Sequence, residues 1–317
     1  MTLTRRACLA GSLPLMRRAA APSRPNILWI IGDDLGVEVG CYGNKLVETP
    51  NMDRVANGGD YLDAVQLADD YVGEVLRALE RDNLLDSTAV FLFGDNGRCL
   101  PRGKQWLYEP GTHVPLMIHW PAAFRAGSVR EDLTTLLDVS ATTLRLAEAK
   151  AASPLHGRSL LAGESRAPEA IFTARDRSGV AVDRIRAVRT KRYRLIRNFM
   201  PERPYTQHNA YIETEYPTQA VMKELHAAGR LNAVQSQFMA PRKPEIELYD
   251  LNADPHEAQN LAGSAAHRKV QRDLLGRLER WQRETGDKGA EAESPDELAQ
   301  ARVDDAAYLK RAGRNRE

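Results

Sequence analysis

Three cysteines in 317 residues, Cys8, Cys41 and Cys99, are too few and too scattered for a disulfide framework or a zinc site. No run of about eighteen or more apolar residues occurs, so the sequence offers no membrane span. An excess of one charge is missing as well: 44 Lys+Arg stand against 43 Asp+Glu. That balance removes the electrostatic case for nucleic acid or an anionic membrane surface as partner. No internal repeat is present. What remains is enough apolar chain for one large or two medium domains with a buried core.

The first 24 residues read as an export leader. Arg5-Arg6, a short apolar run from Ala7 to Met16 and an Ala-rich stretch follow the order of charged, apolar and small-residue regions. The leader predicts a periplasmic or secreted protein, through a twin-arginine-like signal.

After Pro25 the pattern changes. NILWII is a continuous apolar run of strand length, as for a strand buried on both faces of a parallel sheet. From Tyr61 to Leu79, residues Leu62, Val65, Ala68, Val72, Val75, Leu76 and Leu79 recur at helical spacing. AVFLF is a second buried strand, Val114–Trp120 a third, and Leu133–Leu146 a helix. This is α/β grammar, in which ligands gather beyond the carboxyl ends of the strands. HGRSLLAGE marks a boundary loop. Beyond it, AIFTAR, IRAVRTKRYRLIRN and IELYDLNADP alternate more and carry charge, which predicts a smaller antiparallel sheet with one wet face. His267–Glu284 reads as an amphipathic helix, and from Thr285 the charged, Ala-rich chain reads as frayed. The expected divisions are a leader (1–24), an α/β domain (25–165), a C-terminal subdomain (166–285) and a disordered tail (286–317).

The first two strands each end in Gly followed by two oxygen-bearing side chains: Gly32-Asp33-Asp34 and Gly94-Asp95-Asn96. Neighbouring parallel strands would bring all four together. Three carboxylates at one edge repel one another unless a cation neutralises them, and oxygen ligands without His or Cys favour calcium or magnesium. Each pair alone would as readily cap a helix or shape a turn; their joint occurrence favours the cation. Lys104, close after the second pair, would face an anionic substrate beside that cation, or else be a solvated surface lysine. His113 precedes a strand and takes no assigned role.

In order along the chain, PNILWIIGDDLG, GCYGN, TPNMDR, FLFGDNG, RGKQWLYEPGTHVPLMIHWP, HGRSLL and ELYDLNADPHEAQNLA resemble the formylglycine-dependent sulfatases, most closely the bacterial branch related to heparan N-sulfatase. The resemblance implies an alkaline-phosphatase-like, doubly wound, mostly parallel sheet followed by a small antiparallel sheet domain with a packed helix. It further implies that Asp33, Asp34, Asp95 and Asn96 bind calcium, that Lys104 contacts the sulfate group, and that the ligand is a sulfated small molecule or glycan.

One family segment is missing. There, TPNMDR leads shortly into Cys-x-Pro-x-Arg, whose cysteine becomes the formylglycine nucleophile; a later Gly-Lys-x-His segment adds a lysine and a histidine. Neither occurs in this sequence, nor does Ser-x-Pro-x-Arg. Cys8 lies in the leader, Cys41 in GCYGN, and Cys99 after the Asp95-Asn96 pair with Arg102 at the wrong spacing. The Gly58-Gly59 junction therefore reads as the scar of an internal deletion, which would truncate the sheet and expose apolar edges. Four readings follow: an active sulfatase whose recorded sequence has lost residues; a genuinely deleted, inactive relative; a phosphodiesterase of the same superfamily with Thr49 as nucleophile; and a non-catalytic calcium-dependent binder of sulfated ligands.

Overall fold

Apolar runs of strand length and amphipathic segments sort this chain into two sheets, each covered by helices. A computed structural model describes residues 24–37, 39, 60–289, 291 and 293–314. The leader, Cys41, Thr49 and the Gly58-Gly59 junction lie outside the described residues.

The N-terminal sheet has the order β1-β2-β3, from β1 (Asn26–Gly32), β2 (Thr88–Gly94) and β3 (Leu116–His119). β1 and β2 run parallel, in a register that pairs Asn26 with Thr88 and Gly32 with Gly94. β3 runs antiparallel to β2, so this sheet is mixed among the described residues, where the resemblance implied a mostly parallel one. Every residue of β2 is buried. Helix α1 (Asp60–Arg81) covers one face: Val65 and Val72 pack with Leu35, Val39 and Leu92. The short α2 (Glu109–Thr112) leads into β3. Helix α3 (Leu136–Leu146) covers the other face, where Val139 and Leu146 meet Ala89, Phe91 and Phe93.

α3 starts with a capping box. Thr135 and Asp138 satisfy each other's backbone donors. Asp138 also accepts from the Arg158 backbone N–H at 2.8 Å, and Leu160 N–H donates to Thr142 Oγ1 at 2.9 Å. The HGRSLL loop is thereby fastened along α3.

β1 departs from the expectation of a strand buried on both faces. Its residues alternate between exposed and half-buried, and Trp29 and Ile31 remain 40% and 52% exposed. Among the described residues β1 pairs only with β2, so one edge and part of one face lack cover. Leu67, Tyr71 and Val75 of α1 are exposed too.

The C-terminal sheet is antiparallel, with the order β4-β5-β6-β7, from β4 (Ile171–Ser178), β5 (Ala181–Arg189), β6 (Tyr193–Asn198) and β7 (Ile246–Asp250). Between β6 and β7 lie α4 (Ala210–Glu215), α5 (Pro217–Ala227) and α6 (Ala233–Phe238). One face packs Val188, Leu195 and Leu248 on Leu274 and Leu278 of α7 (Arg268–Thr285). The other packs Ile185, Ala187, Ile196 and Tyr249 on Trp106, Leu107, Tyr108, Tyr205 and Phe238.

Neither face is therefore wet. The alternating charge misleads because it is buried and paired. Arg186 meets Asp176 and Asp287; Arg194 meets Glu109 and Glu257. Both arginines are almost wholly buried, as their paired carboxylates allow.

From Thr285 the charge pattern suggested a frayed tail, yet the structure has helix α8 (Pro295–Arg314). It docks through polar contacts that a hydrophobic pattern does not reveal: Tyr308 Oη donates to Glu215 at 2.6 Å, and Asp305 faces His208 and Ala210.

Candidate functional site

The glycines that end β1 and β2 explain how the site forms. A Cβ at Gly94 would collide with the Leu35 carbonyl oxygen, and one at Gly32 with the Leu35 side chain. Only glycine lets the chain fold back over β2 directly after β1. Asp34 then takes a left-handed conformation, φ 56°, which Asp tolerates better than most residues. A Cβ at Gly97 would strike the Pro110 carbonyl, so the segment carrying Lys104 also closes onto these strand ends.

All four proposed ligands and Lys104 meet here. Asp34 N–H donates to Asp95 Oδ1 at 3.3 Å, and Asn96 N–H to the same oxygen at 2.8 Å. Asn96 Nδ2 donates to Asp34 Oδ1 at 2.7 Å. Lys104 Nζ lies 2.6 Å from Asp34 Oδ1 and 3.6 Å from Asp33 Oδ1. Asp34 is largely enclosed while Asp33 projects outward.

Two tyrosines from the C-terminal half complete the arrangement. Tyr216 Oη donates to Asp34 Oδ2 at 3.1 Å, Lys104 Nζ donates to Tyr211 Oη at 3.4 Å, and the two phenols hydrogen-bond each other. Burial alone would lower the Lys104 pKa, but the hydrogen bond and charge of Asp34, with Tyr211 and Asp33, raise it well above the usual lysine range. Burial, then the Tyr211 hydrogen bond and the Asp34 charge, push Tyr216 far up. Lys104 is thus a fixed ammonium and Tyr216 a fixed neutral donor.

The donor chemistry fits a hard cation: three carboxylates and a carboxamide, with no sulfur or imidazole. As folded, the Lys104 ammonium supplies the positive charge nearest Asp34. Among the described residues, no three His, Cys, Asp or Glu side chains converge as a metal-ion group.

Cys99 is a free thiol beside the site. Burial, then the Asp34 charge, raise its pKa, opposite to what a reactive thiolate requires. His113 faces Glu109 Oε2 at 3.2 Å, in the ion-pair cluster that joins the two sheets. Tyr211 and Tyr216 went unseen in the sequence. They lie more than a hundred residues from Lys104 and Asp34, and no local pattern marks them.

The fold of this chain is that of the alkaline-phosphatase-like α/β class. Residues 58–149 match the Sulfatase family model. The chain is 36% identical over 225 residues to an ulvan-active sulfatase of Formosa agariphila, an alignment covering 69% of this chain and 37% of that one. It is 30% identical over 233 residues to the N-sulphoglucosamine sulphohydrolase of Homo sapiens, covering 69% and 46%. Among solved structures it is similar to BT4656 in complex with its substrate D-glucosamine-2-N,6-O-disulfate. That match has a TM-score of 0.54 and 26% identity, and covers 74% of this chain and 42% of that one. The chain belongs to the sulfatase family. It spans less than half the length of these relatives.

Proposed function

We propose that this chain is a sulfuric ester hydrolase by descent that binds calcium and sulfated glycans and, in the sequence given, does not turn them over. The carrying observation is the placement of Asp33, Asp34, Asp95 and Asn96 at two adjacent parallel strand ends, with Lys104 Nζ 2.6 Å from Asp34. Calcium, when bound, would supply a Lewis acid for the sulfate oxygens. Asp33, Asp34, Asp95 and Asn96 would hold it. Lys104, held charged, would turn from Asp34 to a sulfate oxygen, and Tyr216 would keep Asp34 in place. The relatives support a sulfated glycan ligand: one is an ulvan-active sulfatase by name, and BT4656 is in complex with its substrate D-glucosamine-2-N,6-O-disulfate.

The absence of Cys-x-Pro-x-Arg supports binding without turnover, because no covalent intermediate forms without its nucleophile. The family match starts at residue 58, at the Gly58-Gly59 junction, and among the described residues one β1 edge has no partner strand, which supports the reading of a lost segment. The arginine-pair leader supports export to the periplasm or beyond.

The test uses pure full-length chain, titrated with glucosamine-6-sulfate with calcium and with chelator, alongside hydrolysis of an aryl sulfate. Calcium-dependent binding with hydrolysis at the buffer rate is expected. Hydrolysis well above buffer would remove the inactivity, and binding indifferent to calcium would remove the cation.

A further inference from the structure

Arg175 is a buried guanidinium without an anion. Its side chain, on β4, is 8% exposed and lies over the Trp106 ring, 4.1 Å from the centroid. Nε and Nη1 have no hydrogen-bond partner among the described residues. The carboxylate whose charge reaches it, Asp183, is already committed: Oδ2 accepts from Lys243 Nζ at 2.7 Å and Oδ1 from Arg184 N–H at 2.9 Å. Two cations around one carboxylate leave a net positive charge inside the fold. Burial lowers the Arg175 pKa to about 10, with Asp183 opposing, so the group stays charged at neutral pH.

Such a charge is costly to bury unless an anion compensates it. Arg175 lines a cavity shared with Lys104, Trp106, Gln207, Tyr216 and Gln219. Its volume of about 30 Å³ gives room for one small polar group. Gln207 brings a further buried donor, Nε2, that also lacks an acceptor. Two residues lining one cavity therefore carry three buried N–H nitrogens with no acceptor among the described residues. A water molecule offers two lone pairs and no charge. A carboxylate or sulfate offers several lone pairs and the missing negative charge, and a guanidinium binds it through two parallel bonds.

We propose that this cavity is a second oxyanion subsite, in which Arg175 and Gln207 take a further sulfate or carboxylate group of the ligand whose first sulfate faces Lys104. The assignment rests on the reading of Lys104 given above. It makes the ligand a sugar with at least two anionic groups.

The experiment compares glucosamine-6-sulfate with glucosamine-N,6-O-disulfate by calorimetry on the full chain with calcium. The disulfate is expected to bind about tenfold or more tightly, and the ratio to fall to about one in Arg175→Met. Equal affinities in the wild type, or a preference that survives Arg175→Met, overturn the subsite. If Arg175→Met does not fold, Gln207→Leu reads the same ratio, and an unchanged ratio overturns it. If neither sugar binds, the functional reading fails rather than the subsite. Inorganic sulfate then decides: against chloride at equal ionic strength, it should raise the Tm of the wild type more than that of Arg175→Met, and equal shifts overturn the subsite.

Discussion

Removing the Lys243 ammonium tests how this fold tolerates charge in its interior. The Lys243 and Asp183 side chains are both fully buried, with Nζ 2.7 Å from Oδ2. Nζ also donates to the Arg203 carbonyl at 2.9 Å. Lys243→Met keeps most of the side-chain volume, removes both bonds and leaves the Asp183 carboxylate with only the Arg184 N–H. Breaking a buried pair from one side costs about 3–5 kcal/mol, because the surviving charge stays buried. Arg175, whose charge reaches Asp183, softens this, so the lower end, about 3 kcal/mol, is expected. In a chain of this size that lowers Tm by about 5 °C. Urea denaturation followed by far-UV circular dichroism measures it. A Lys243→Met variant within about 1 kcal/mol of the wild type would refute the reasoning.

Glu257 offers a pH test. Burial raises its pKa to about 7, with Arg194, the Glu109 backbone N–H and Arg102 opposing and the Glu109 charge adding to the rise. A carboxyl raised on folding stabilises below its unfolded pKa, and that contribution is lost as pH climbs toward about 7. The stability of the wild type relative to Glu257→Gln should therefore fall between about pH 4.5 and 7, and a difference that rises with pH would contradict it. Calcium at about a hundred times its Kd should stabilise the chain by about 2.7 kcal/mol. Asp34→Asn should abolish that gain in a thermal melt, whereas equal gains would place the cation elsewhere. Gly94→Ala, whose methyl meets the Leu35 carbonyl, should cost about 2 kcal/mol or more. Gly276→Ala, in open space on α7, should instead stabilise by about 0.5–1 kcal/mol; denaturant titration of both reads the contrast.

The sequence by itself determined the strands, helices α1, α3 and α7, and the acidic strand ends. NILWII and AVFLF are long apolar runs, and the Gly-Asp pairs end them, so local pattern alone placed Asp33, Asp34, Asp95 and Asn96 at neighbouring strand ends. The missing Cys-x-Pro-x-Arg is likewise a matter of sequence. Only the tertiary structure decided which charges are solvated. Arg186 and Arg194 alternate as on a wet face, yet they are buried because Asp287, Glu109 and Glu257 arrive from distant segments. Tyr211 and Tyr216 reach Lys104 and Asp34, and Arg175 shares a cavity with Lys104, only because the C-terminal sheet packs on the Trp106–Tyr108 segment. Periodicity reports the average environment of a short stretch. A charge's partner is set by contacts across a hundred residues or more, which no local pattern records.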